Sequence, residues 1–365
     1  MKVIIQTIVP SPYRVEFFHE LGKLCDLTVV YEGRRPNNGR LYNWISKKIS
    51  YKEIFFEDIY NESKIKWSII KYFIDSKYDI RLICCAHTRT GVLLTKCLKL
   101  FNKPYCLEID GAMVNRGESF FQRMIKMNVL CGASKYFSPS VSTDEYFKYY
   151  ARIKENKIAR YSFTSVSKKD IIENCLTDAE KKTIKRKLGI PYDRIVISVG
   201  QFIYRKGYDI LLQAWKNVSG NLGLYIIGGK PTNEYNEICN RLHLKNVHFF
   251  DFMSKESLAD YYKAADLFVL PTREDIWGLV INEAMAYGLP IITTNKCVAG
   301  VQLLTNQTHT IVPVNDIEAL TSAINYYFKD EEERKKMACQ NLAIIKKHSI
   351  EDMALEHYNE FKNLL

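Results

Sequence analysis

Short apolar runs alternate with segments of helical period through the first 165 residues. Residues 3–8 read as a buried strand, after which Val15, Phe18, Leu21 and Leu24 recur at the spacing of one helix face. Residues 27–31 give the next strand, followed by strands over 80–85 and 105–109, helices over 92–100 and near 120–130, and a strand near Tyr136. Strands that are apolar throughout, separated by amphipathic helices, predict a parallel sheet covered on both faces.

Residues 164–191 break the pattern with a polar, lysine-rich stretch holding one helix, from Thr177 as N-cap to Leu188, closed by Gly189 and Pro191. The alternation then restarts. Strands are predicted over 195–199, 224–227, 247–250, 267–270, 291–293 and 310–312, with helices over 208–217, 258–264 and 278–287 and further helix to the end. The chain is thus expected to divide into a domain over 1–165, a linker over 166–191, a second domain over 192–348, and a terminal helix over 349–365 that packs back on the first domain. The predicted fold class is α/β, two doubly wound, Rossmann-like domains facing a central cleft. Ligands of such sheets bind beyond the carboxyl ends of the strands. A length of 365 residues suits two domains of ordinary size.

Composition then removes several classes. Hydrophobic residues at 47% and charged residues at 25%, without repeats or low-complexity tracts, describe a globular chain. No apolar run approaches membrane-spanning length, and the first stops at Pro10, too short for a signal segment, so the cytoplasm is the expected compartment. Ten scattered cysteines without a C-x-x-C pair read as reduced core thiols. His243 and His248 have no thiol or carboxylate at ligand spacing, so no metal site is expected there. A net charge of +11 favours an anionic partner such as a sugar nucleotide, nucleic acid or an acidic lipid surface. The basic residues are dispersed and no nucleic-acid-binding motif accompanies them, which sets nucleic acid aside. The turn after the first strand, residues 9–14, lacks G-x-G-x-x-G, which argues against a dinucleotide there.

Candidate chemistry concentrates in residues 271–295, PTREDIWGLVINEAMAYGLPIITTN. A strand ends at Pro271, Glu274 and Asp275 follow, and a helix from about Ile276 stops at Gly288 and Pro290. Backbone amides of Trp277, Gly278 and Leu279 at that helix N-terminus are a ready place for a phosphate. Glu283 shares a helix face with Leu279 and Tyr287, and a carboxylate there suits the paired hydroxyls of a ribose. After strand 195–199 come Gly200, Arg205, Lys206 and Gly207; two adjacent cations at a strand exit can neutralise a diphosphate. Three exits of the first sheet carry Tyr13 and Arg14, His87 and Arg89, and Asp110, which should converge on the cleft.

Residues 274–290 resemble the donor-site signature of family 4 retaining glycosyltransferases of the GT-B fold. In that signature two glutamates separated by seven residues bracket an aromatic-Gly-Leu-Val stretch, and the second heads Glu-Ala-Met-Ala-x-Gly-x-Pro, so an aspartate at the first position is a departure. Residues 277–290 match, Glu283 is the second acidic residue, and the first falls on Asp275 with Glu274 beside it. The family's Gly-Arg, four residues, Lys-Gly loop is matched by Gly200, Lys206 and Gly207, whereas its arginine position is Gln201 here, with Arg205 as the substitute cation. The resemblance implies a donor site of Gly200, Arg205, Lys206, Glu274, Asp275, Trp277, Gly278, Leu279 and Glu283 in the second domain. It implies an acceptor site of Tyr13, Arg14, His87, Arg89 and Asp110 in the first, with Asp110, Arg205, Lys206 and Asp275 in catalytic roles. The Pro-x-Pro-Tyr-Arg and Ile-Asp-Gly segments are similar to a branch of the family that builds bacterial surface polysaccharides. The implied reaction moves a hexose or N-acetylhexosamine, with retention, from a nucleotide sugar (UDP preferred, GDP the alternative) to a saccharide acceptor, lipid-linked, in capsule or O-antigen lipopolysaccharide synthesis. No D-x-D motif of metal-dependent transferases occurs, so neither a metal nor another cofactor is expected.

Other readings stay open at this level. A GT-B sugar-nucleotide epimerase or phosphorylase would share the architecture, and a non-catalytic donor-binding subunit would account for Gln201 and Asp275 at family positions. Asp275 can also be read as a helix cap, and Asp110 as a ligand of its own turn. Residues 119–130 mix Phe120, Phe121, Met124, Ile125 and Met127 with Arg123 and Lys126. Such a stretch fits peripheral binding to an anionic membrane surface, at the inner face of the cytoplasmic membrane, or a buried helix with its apolar stripe turned inward.

Overall fold

The apolar runs of the first half become one parallel sheet. In the computed structural model, which describes residues 1–36, 49–304 and 309–365, its strands are β1 (Lys2–Thr7), β2 (Asp26–Tyr31), β3 (Lys52–Phe55), β4 (Ile80–Ile83), β5 (Cys106–Glu108), β6 (Lys135–Ser138) and β7 (Ile158–Arg160). Their spatial order is β3-β2-β1-β4-β5-β6-β7, with Val3 in register with both Leu27 and Ile80. The central strand β1 is closed to solvent at Val3, Ile4 and Ile5, as its continuous apolar run requires. Connecting helices are α1 (Pro12–Gly22), α2 (Ile70–Phe73), α3 (Arg89–Leu100), α4 (Phe120–Leu130) and α5 (Val141–Ala151). Edge strands β3 and β7 are additions to the sequence reading, being short and, in β3, only half-buried, so neither carries a continuous apolar run.

The second sheet comprises β8 (Arg194–Val199), β9 (Leu222–Ile227), β10 (Val247–Phe250), β11 (Leu267–Leu270), β12 (Ile291–Thr294) and β13 (Ile311–Val312), all parallel, in the order β10-β9-β8-β11-β12-β13. Its helices are α6 (Asp178–Lys187), α7 (Tyr208–Trp215), α8 (Asn233–Arg241), α9 (Lys255–Ala264), α10 (Leu279–Ala286), α11 (Val298–Leu303), α12 (Ile317–Lys329) and α13 (Glu331–Ile345). Thr177 caps α6 in a reciprocal capping box with Glu180, and Lys185 of that helix reaches buried Asp266 at 2.6 Å, so the polar stretch around it is fastened to this sheet. The chain thus forms two α/β units, Met1–Ser167 with His348–Leu365, and Lys168–Lys347. The final helix, α14 (Ile350–Lys362), packs on α1 of the first unit.

Two expectations are corrected here. All ten cysteines are free, but only Cys84, Cys106 and Cys297 are buried and Cys339 is exposed, so they are not uniformly core thiols. Helix α4 turns only the C-terminal part of its apolar stripe inward: Phe120, Phe121, Met124 and Ile125 are exposed, while Met127 packs half-buried against the core and Val129 and Leu130 are buried. Arg123 and Lys126 instead face α5, over the rings of Tyr149 and Tyr150.

Candidate functional site

In each sheet the strand order reverses direction at one place, between β1 and β4 in the first and between β8 and β11 in the second. Loops leaving such a pair of strands part to opposite faces and open a crevice at their carboxyl ends. The loops singled out from the sequence leave these strands.

In the second unit, Gly200 follows β8 and residues 204–206 form a short 3₁₀ turn ending on Gly207, whose φ of 69° is left-handed. A β-carbon on Gly207 would lie 2.1 Å from the carbonyl oxygen of Pro271, so only glycine lets this loop press against the exit of β11. The two loops are then stitched together. Arg273 N donates to Arg205 O at 2.7 Å, the Thr272 hydroxyl donates to the same oxygen at 2.9 Å, and Arg205 Nη1 donates to Glu274 O at 2.6 Å. Arg273 forks onto Asp209 at 2.8 and 2.7 Å with its guanidinium over the Tyr204 ring. Lys206 Nζ meets Asp275 Oδ2 at 2.6 Å, with the two side chains 11% and 10% exposed, and Arg205 approaches the other carboxylate oxygen at 3.4 Å.

Helix α10 begins later than the pattern suggested. Asp275 pairs in parallel with Cys297, donating its amide to Lys296 O at 2.9 Å and accepting from Val298 N at 3.1 Å, which keeps it out of the helix, and the backbone bends at Ile276 and Trp277 before the helix starts. Gly278 is the N-cap, with φ 98°, and no side chain caps it, so Asp275 is not the helix cap. Ile281 donates the first intrahelical bond, to Gly278 O at 2.8 Å, which leaves Leu279 and Val280 in the first turn, where an α-helix offers no acceptor. Trp277 is buried and anchors the start of the helix through Nε1 to Asn282 Oδ1 at 2.8 Å. Glu283 is half-buried together with Leu279 and Tyr287, and accepts from Tyr262 OH at 3.1 Å. Burial, then Glu283, pushes the Tyr262 phenol well above its usual range, so it stays a donor.

The first unit gathers Tyr13, Arg14 and Asp110 and does not gather His87 and Arg89 with them. Tyr13 OH donates to Asp110 Oδ2 at 2.7 Å, Arg14 forms a close ion pair with the other oxygen, and Arg14 Nη1 reaches Glu108 Oε1 at 2.7 Å. Tyr161 OH donates to Glu108 at 3.2 Å and lies 3.4 Å from Asp110. Arg89 turns away to Ser63 O, and His87 is exposed on the exit of β4. Two carboxylates therefore share one buried guanidinium. Burial raises both, but Arg14 overcomes this at Glu108, which is held far below the carboxylate range, whereas Asp110 ends above its usual value. His357 of α14 stacks on Phe137, and its Nε2 lies 3.7 Å from Glu108 Oε2. Glu108, Tyr161, His357, Thr272 and Arg273 were absent from the sequence reading. A carboxylate inside the apolar run 105–109 was the one local signal, because a buried strand tolerates it only with a partner.

Residues 180–341 match the family model of glycosyl transferases group 1. The chain is 31% identical over 121 residues to the uncharacterized glycosyltransferase MJ1607 of Methanocaldococcus jannaschii, covering 32% of this chain and 31% of that protein. It is 29% identical over 145 residues to the O-antigen biosynthesis glycosyltransferase WclY of Escherichia coli, covering 37% and 40%. It thus spans less than half the length of either relative. Among solved structures, Anabaena Alr3699/HepE in complex with UDP and glucose superimposes with a TM-score of 0.77 at 14% identity, over 100% of both chains. The fold is GT-B, and residues 180–341, the segment that carries the Lys206 and Glu283 loops, match the group 1 glycosyl transferases.

Proposed function

We propose that the protein is a retaining glycosyltransferase that takes a hexose or N-acetylhexosamine from a nucleotide sugar, UDP before GDP. The observation that carries this reading is the meeting of Arg205, Lys206 and the open first turn of α10 at the reversal point of the second sheet. Two cations and a set of helix amides there can hold a diphosphate as it leaves. Glu283 accepts the ribose hydroxyls. Asp275 is committed to Lys206 and sets its position, so exposed Glu274 is the carboxylate assigned to the donor sugar. Gly200, Trp277, Gly278 and Leu279 shape the backbone around the nucleotide.

As the bond from the anomeric carbon to the diphosphate oxygen breaks, positive character develops on the sugar and negative charge on the leaving group, which Lys206 and Arg205 stabilise. The acceptor hydroxyl attacks from the same face and passes its proton to the departing phosphate oxygen, which gives retention. Asp110, fixed by Tyr13 and Arg14, orients the acceptor, and His87 and Arg89 line the neighbouring exit. The acceptor is a saccharide carried on a lipid, in capsule or O-antigen assembly, and the protein works in the cytoplasm at the membrane's inner face without a metal or other cofactor. The relative named for O-antigen biosynthesis supports this setting.

The test supplies purified protein with UDP- and GDP-sugars and measures free nucleotide with and without a saccharide acceptor, in EDTA and in magnesium. Acceptor-dependent release, unchanged by EDTA, is expected, and Lys206→Ala and Glu283→Ala should each lose at least about tenfold, equivalent to ~1.4 kcal/mol. Epimerised donor without release, or near-normal turnover in either variant, would defeat the reading.

A further inference from the structure

Helix α4 is built inside out. Its N-terminus is fixed by a capping box between Ser119 and Gln122, so its orientation is defined. Its two cations are spent inward: Arg123 lies 4.5 Å from the centre of the Tyr149 ring, and Lys126 pairs with Glu118 at 2.5 Å and sits over Tyr150. Outward stand Phe120, Phe121, Met124 and Ile125, at 71%, 78%, 46% and 63% exposure. An ordinary surface helix shows the reverse arrangement. The end of α3 adds to this side of the unit, since Lys99 donates to Asn128 O at 2.5 Å and the adjoining Leu100 and Phe101 are exposed. Of the 18 exposed large apolar side chains among the described residues, seven fall between residues 100 and 125, a concentration beyond the scattered exposure that needs no explanation.

Charge selects the occupant. Lys96 and Arg116 are exposed beside these apolar residues. Every carboxylate between residues 96 and 128 is occupied: Glu108 and Asp110 by Arg14, and Glu118 by Lys126. Between residues 96 and 128 the surface is therefore apolar with a cationic margin and no exposed carboxylate. A groove of about 630 Å³ beside it, lined by Met113, Val114, Arg116, Ser142, Glu145, Lys148 and Tyr149, carries two cations and one exposed carboxylate. Aromatic and aliphatic side chains that enter the acyl boundary while cations stay at the phosphates are what an anionic bilayer surface accepts.

We propose that the exposed face of α4, with the adjoining end of α3, docks the protein on an anionic membrane by inserting Phe120, Phe121, Met124 and Ile125. Helix α4 starts ten residues after Asp110, on the loop that leaves β5, so docking holds that carboxylate near the headgroup plane. This deepens the proposed function and rests on it only for the lipid-linked nature of the acceptor.

The full chain is mixed with vesicles of phosphatidylcholine alone, or of equal parts phosphatidylcholine and phosphatidylglycerol, and sedimented at low and high salt. Binding is expected to the anionic vesicles, weakened by salt. The variant Phe120→Ser/Phe121→Ser/Ile125→Ser should bind at least about tenfold less, and Lys96→Glu/Arg116→Glu should lose the preference for anionic lipid. Both variants change exposed side chains, so their melting temperatures and UDP-induced thermal shifts should match the parent; a parent without a UDP shift would fault the glycosyltransferase reading and leave docking to be judged on sedimentation. Absence of parent binding to either vesicle, or equal binding by the triple variant, overturns the proposal. A parent dimer in light scattering that the triple variant abolishes would assign the face to a second copy and overturn it too.

Discussion

Replacing Lys206 by methionine and Asp275 by leucine, singly and together, isolates the ion pair that joins the loops leaving β8 and β11. Its atoms are 2.6 Å apart and its side chains nearly closed to solvent. Two unit charges at ~4 Å attract by about 4 kcal/mol at an effective dielectric constant near 20, and desolvation takes back part of that. Each single variant should therefore lose about 3 kcal/mol, because it strands the remaining charge. Lys206→Met should be the milder, since Arg205 at 3.4 Å still faces Asp275. The double variant strands nothing and should be no worse than either, a coupling of about 3 kcal/mol. Urea denaturation followed by circular dichroism measures the cycle. UDP at about a hundred times its Kd for the parent should add about 2.7 kcal/mol to the parent, less to Asp275→Leu, where Lys206 has lost the carboxylate that positions it, and nothing where Lys206 is gone. Losses that simply add, within about 0.5 kcal/mol, would refute the pair as an energetic unit. A UDP increment that survives Lys206→Met would refute its role toward the diphosphate.

Further outcomes follow from the same geometry. Glu108 has a folded pKa below its unfolded one, so its stabilisation is complete above about pH 4.3 and is lost as pH falls from there. Glu108→Gln should cost about 3–5 kcal/mol at pH 7 and flatten the stability profile on the acid side in urea titrations; an unchanged acid slope would remove Glu108 from the account. Asp110→Asn keeps the shape that Tyr13 and Arg14 bind, and should abolish turnover in the nucleotide-release assay with a melting temperature within about 2 °C of the parent. Retained turnover with a lowered melting temperature would return Asp110 to its turn. Gly207→Ala sets a β-carbon against Pro271 O and strains a left-handed residue, so UDP should no longer stabilise the variant in thermal denaturation.

Much of this molecule is dictated locally. Continuous apolar runs such as Val3, Ile4 and Ile5 can be buried only in a sheet covered on both faces, and the capped, glycine-stopped helix Asp178–Lys187 carries its own start and stop signals. The candidate loops after β8 and β11 were legible because glycines, adjacent cations and a helix start stand close together in the sequence. Other features depend on partners far along the chain. Helix α10 begins at Leu279 because Cys297, twenty-two residues after Asp275, pairs with it and keeps Asp275 out of the helix. The commitment of Asp275 to Lys206 arises from the neighbouring placement of β8 and β11, which no local pattern encodes. The cluster around Arg14 joins residues from α1, β5, Tyr161 and, 249 positions beyond Glu108, His357. Periodicity states that a helix has an apolar side, but which side faces the core is settled by neighbours. At α4 the tyrosines of α5 took the cations and left the phenylalanines outside, because burying a charged stem costs little once a ring and a carboxylate receive it.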